Sequence, residues 1–131
     1  MNQAVSVAID EIRATFTGHQ VDVEPDDQGG AFVEVHAVSI GERYTETHSW
    51  FGFRITFQYP HADVYPHYCV PGLSRRDGKA LSPGIHLNHP WQTPTQITPA
   101  TMLSRRSKRL DPNFDTAATK LLKVVDWLRS T

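Results

Sequence analysis

Apolar positions recur along this chain with two different periods. Val5, Ala8, Ile9, Ile12 and Phe16 fall at helical spacing, which predicts one apolar helix face that Gly18 is placed to end. From Ala31 to Val38 the period shortens to two. Phe32, Glu34 and His36 lie on one side, and Ala31, Val33, Val35 and Ala37 on the other, as in a half-buried strand. Ser49–Phe57 repeats the pattern more strongly, with Phe51, Phe53, Ile55 and Phe57 on one face. Val21–Val23 begins an extended stretch, and Pro25–Gly30 and Ile40–Glu42 read as turns. The expected order is a helix followed by an antiparallel meander.

The pattern breaks after Phe57. Tyr59-Pro60 and Tyr65-Pro66 interrupt regular structure, because proline lacks an N–H and restricts the residue before it. His67–Leu73 reads as a short edge strand. Arg75 to Thr98 has little periodicity and many turn formers, and a long irregular segment in a compact domain is commonly functional. Ile85, Leu87 and Trp91 argue that it is ordered. Two helices are expected beyond it. One is capped by Thr98, with Pro99 at its first position, and runs to about Leu110. The last is capped by Asp115 or Thr116 and carries an apolar stripe of Ala118, Leu121, Leu122, Val125 and Leu128.

Composition narrows the class. The 131 residues suit one domain, 1–131, and 39% hydrophobic content is enough for a core without staples. Thirteen basic against fourteen acidic side chains leave no global field favouring nucleic acid or an anionic membrane. No apolar run approaches the ~18 residues that cross a bilayer. The N-terminal stretch lacks the basic start of a secretory signal. The single cysteine, Cys69, excludes an internal disulfide and fits a reducing compartment. A cytoplasmic α+β domain is expected.

Several motifs, taken in order, carry a resemblance. Phe51–Pro60 (FGFRITFQYP) is an alternating aromatic and aliphatic run ending in Tyr-Pro, and Tyr65-Pro66 and Val70-Pro71 follow. Then come Pro83-Gly84-Ile85-His86-Leu87-Asn88, Trp91-Gln92-Thr93-Pro94, Met102-Leu103-Ser104 and Asp111-Pro112-Asn113-Phe114-Asp115. Together they resemble the ubiquitin-conjugating (UBC-like) superfamily, in the style of its divergent bacterial members, over most of the chain. The resemblance implies an α+β fold: an N-terminal helix, a four-stranded antiparallel meander, an irregular flap and C-terminal helices. It places Met102-Leu103-Ser104 in a helix and sets His86 at the position of the family's catalytic cysteine. The linker from Leu87 to Trp91 is shorter than the family's. The His-Pro-Asn upstream of the family's cysteine is missing, and Asn88 and His89-Pro90 lie on the wrong side to replace it.

The family's reaction needs a thiolate that holds an acyl group until an amine takes it. An imidazole at position 86 would give an acyl-imidazole that hydrolyses readily. The resemblance therefore implies an inactive variant that binds a ubiquitin-like protein or its activating enzyme, with Trp91, Tyr65 and Asn88 as binding residues and no cofactor. The alternative is that His86 is a polar loop residue with no role. Cys69 is the alternative nucleophile. If its segment is a strand, His67 shares its face, and an imidazolium there could lower the thiol pKa. Against this, a lone cysteine on a short strand is most often a small buried apolar residue.

A third alternative is an unrelated α+β domain with a His/Cys metal site, because His61, His67, Cys69, His86 and His89 gather in or near the flap. None of them has zinc-finger spacing. Arg105, Arg106, Lys108 and Arg109 form a basic run that reads as a solvated face, or as a site for an acidic surface or phosphates. A nucleic-acid role is disfavoured because the aromatics are not interleaved with these charges.

Overall fold

The computed structural model describes residues 1–131. Helix α1 spans Gln3–Thr15, with the Asn2 side chain accepting a 2.9 Å hydrogen bond from the Val5 N–H to cap it. All five residues of its apolar stripe are buried. Gly18, at φ +87°, turns the chain after the helix, a conformation that costs glycine little.

Strands β1 (Val21–Pro25), β2 (Ala31–Ser39), β3 (His48–Ile55) and β4 (His67–Cys69) follow as an antiparallel meander. A bulge between Val35 and Val38 puts Ala37 at φ +58°, outside the period-two pattern, so Val38 takes the buried place instead. Phe57 lies past the end of β3 and is exposed.

The meander is not the whole sheet. Strand β8 (Thr101–Leu103) pairs with β4, and β5 (Ile85–His86) pairs with β8, giving six strands in the order β1-β2-β3-β4-β8-β5. A separate hairpin joins β6 (Trp91–Gln92) to β7 (Ile97–Thr98). Two expectations are corrected here. The segment around Cys69 is an interior strand, not an edge. The helix expected from Thr98 to Leu110 does not form, and only one C-terminal helix exists. Thr101 and Leu103 are buried while Met102 points the other way, a period of two. Backbone pairing with two neighbouring strands satisfies this segment and overrides its local helical signals.

Helix α2 (Ala117–Ser130) starts at Thr116 with a reciprocal capping box to Thr119. Its stripe buries Ala118, Leu121, Val125 and Leu128 as expected and adds Val124, while Leu122 is exposed. Both helices lie on one face of the sheet and contribute, with β2, β3, β4, β5 and β8, to one core of 25 buried residues. The flap is ordered around buried Ile85 and Trp91, although Leu87 is exposed. No helix is long and apolar enough to cross a membrane.

Candidate functional site on the outer face of the sheet

With both helices on one face, the other face of the sheet is left for the flap. Strand register aligns Asp22, Glu34, Gly52, Tyr68, Met102 and His86 in one row across all six strands. The next row, Val23, Val33, Phe53, His67, Leu103 and Ile85, faces the core. Alternation along a strand separates the two rows.

The β6–β7 hairpin folds over the outer row. Trp91 is buried there, with its ring 5.2 Å from that of Tyr68 and 5.9 Å from that of Phe32. Its indole N–H donates to Glu34 Oε2 at 3.0 Å. A groove of about 360 Å³ opens beside it, lined by Phe32, Arg54, Tyr65, Tyr68, Trp91 and Gln92 among others. The Arg54 guanidinium stacks on Phe32 at 5.1 Å and is anchored by Asp26 at 2.8 Å. Burial of Asp26 opposes ionisation of its carboxyl, but hydrogen bonds from Arg54 and from the Gln28 and Gly30 amides prevail and hold its pKa below the usual value. Tyr65 shares this groove, and its hydroxyl lies 2.7 Å from Ser104 Oγ. Tyr65 and Trp91 therefore line one groove. Asn88 does not join them. It sits at φ +63° in the turn after β5, beside a shallow depression that includes Pro71, Ile97 and Pro99.

His86 is exposed at the end of the outer row, with its ring 5.9 Å from that of His89. Cys69 and His67 share a face, as period two requires, but it is the core face. Both are fully buried. Burial pushes the Cys69 thiol up to about 12. Burial and the nearby Lys120 charge push His67 down to about 3, leaving a neutral imidazole with neither nitrogen hydrogen-bonded. In this arrangement Cys69 has neither the exposure nor the ionised partner that a carrier thiol needs.

The five flap histidine and cysteine residues do not converge. His67 and Cys69 are in the core, while His61, His86 and His89 are exposed. A different cluster does form, from Asp22, Glu34 and His36, whose ligand atoms lie within 4.8 Å of one another. His36 Nε2 is 2.9 Å from Asp22 and 3.5 Å from Glu34. The Glu34/His36 spacing was visible in the sequence; the cross-strand pairing that adds Asp22 was not. The chain matches no family model, no curated protein and no solved structure.

Proposed function

We propose that this protein is a divergent ubiquitin-conjugating-type domain that binds a ubiquitin-like protein or its activating enzyme, in a bacterial conjugation-like pathway, without carrying the thioester itself. One observation carries this reading: the chain's single thiol is sealed in the core, while His86, which the resemblance aligns with the family's cysteine, is exposed. The opening helix, the four-strand meander and the groove containing Trp91 and Tyr65 support a binding role. Met102-Leu103-Ser104 does not, because it is strand where the resemblance implies helix.

The test uses the ubiquitin-like protein and activating enzyme encoded in the same genome, with ATP and non-reducing gels. Wild-type protein binds one of them and forms no reducible adduct. Trp91→Ala weakens that binding, and His86→Cys gains an adduct. A wild-type adduct lost in Cys69→Ala would instead make this an active carrier.

A second reading, an unrelated α+β domain, is favoured by β8, which joins the sheet between β4 and β5 where the family resemblance implies a helix. Failure of the wild type to bind either protein would select it.

A further inference from the structure

The basic run after β8 closes around a second cavity, of about 360 Å³. Six of its nine lining residues are cationic: Arg105, Arg106, Lys108, Arg109, Lys120 and Lys123. Asp115 is the one carboxylate among the nine. Two of the six cations have acidic partners. Lys120 is clamped by Asp63 at 2.8 Å, and Lys123 reaches Asp115 at 3.5 Å. The other four make no ion pair and donate no side-chain hydrogen bond, although the chain as a whole has a net charge of −1. Like charges lining one depression repel, and an anion bound there relieves that repulsion.

The guanidiniums are nevertheless held in place. Arg105 stacks over the Trp127 ring at 5.0 Å, and Arg106 over Tyr65 at 4.0 Å. Stacking fixes the plane of a guanidinium without consuming its N–H donors, so both forks remain free for an acceptor. Planar forks match phosphate oxygens in two-bond geometry.

From this concave set of unpaired cations, two of them held against rings, we infer that the cavity binds a small ligand carrying two or more phosphate groups. One phosphate would leave most of the four free cations unpaired. Nucleic acid fits less well, because the Trp127 and Tyr65 faces that would stack bases are already covered by arginines. An acidic peptide fits less well because its carboxylates would be spread along a chain, whereas these cations converge on one depression.

Isothermal titration of the full chain with sodium tripolyphosphate at about 150 mM salt, where loose surface attraction is screened beyond a Debye length of about 8 Å, tests this. Saturable one-to-one binding is expected, with a rise in Tm. Lys108→Gln/Arg109→Gln, both exposed and outside the core, weakens it at least tenfold with an unchanged circular dichroism spectrum. Arg43→Gln, exposed elsewhere, leaves it unchanged. A parallel titration with ATP separates sources. Tighter binding of ATP supports a phosphate ester, and equal or weaker binding supports a free oligophosphate. The inference is overturned by absence of saturable binding of both probes, by equal loss in Arg43→Gln, by no loss in the double variant, or by poly-glutamate or a single-stranded oligonucleotide binding as tightly as tripolyphosphate.

Discussion

The Trp91 indole lies directly on Gly52: a Cβ at position 52 would stand 2.8 Å from the ring. Only glycine at this place in β3 lets the flap hairpin close onto the sheet. Gly52→Ala must displace a buried ring that also holds Glu34 through its N–H. Overpacking of this kind costs about 1–3 kcal/mol. Urea unfolding should show that loss, and the Trp91 indole N–H signal in NMR should shift as the hydrogen bond to Glu34 breaks.

His67 makes stability depend on pH. Its folded pKa is near 3 against an ordinary 6.5. Below pH 6.5 the unfolded chain binds a proton that the folded chain refuses. Stability from this group is thus complete above 6.5 and falls as pH drops towards 3, by up to about 1.4 kcal/mol per pH unit. Asp22, Asp26 and Asp63, whose folded pKa values are lowered from 3.8, add acid sensitivity of the same sign but only from about that pH downwards. His67→Leu removes two unpartnered buried nitrogens. It should be neutral or stabilising at pH 7, and should flatten the stability profile between pH 6.5 and 4. Urea midpoints across that range measure both effects.

Cys69 should be almost inert while the protein is folded. A thiol at about 12, against an ordinary 9.0, ionises roughly a thousandfold less at neutral pH, and burial blocks reagent as well. Labelling with a chromogenic disulfide at pH 8 should therefore be slower by at least about that factor in native protein than in guanidinium. Equal rates would show that the core opens readily at β4.

The Asp63–Lys120 pair ties the basic loop to the body of the fold. Lys120 Nζ meets both Asp63 oxygens, at 2.8 and 3.0 Å, and Asp63 also accepts from the Ser107 N–H at 2.7 Å and its hydroxyl at 2.8 Å. The Lys120 side chain is only 9% exposed. Asp63→Ala leaves that ammonium without its counter-charge, which costs about 3 kcal/mol. Lys120→Met, which removes the buried charge itself, should cost less. Thermal or urea unfolding of the two variants checks the order.

Much of the scaffold was legible in the sequence. The stripe from Val5 to Phe16 marked α1, the alternation in β2 and β3 marked the sheet, and Thr116 marked the start of α2, because each pattern is local and repeats over several residues. Thr98–Leu110 misled because Thr-Pro is a sound helix opening in isolation. Its fate depended on two open strand edges, from β4 and β5, that no short window contains. The site divided in the same way. Trp91 and Tyr65 could be singled out as candidates, yet the groove they share depends on Gly52, which carries no chemical signal.

By itself, the sequence determined residue types and periods: which faces are apolar, where prolines interrupt, that one thiol exists, and that four cations crowd into residues 105–109. Tertiary structure decided which side of the sheet each group occupies. It sent Cys69 and His67 into the core, left His86 in solvent, and stacked Arg105 and Arg106 on rings distant in sequence. The physical reason is that burial and charge pairing are set by long-range strand and helix contacts. Those contacts push a buried thiol's pKa up and a buried imidazole's down without changing a residue nearby in the chain.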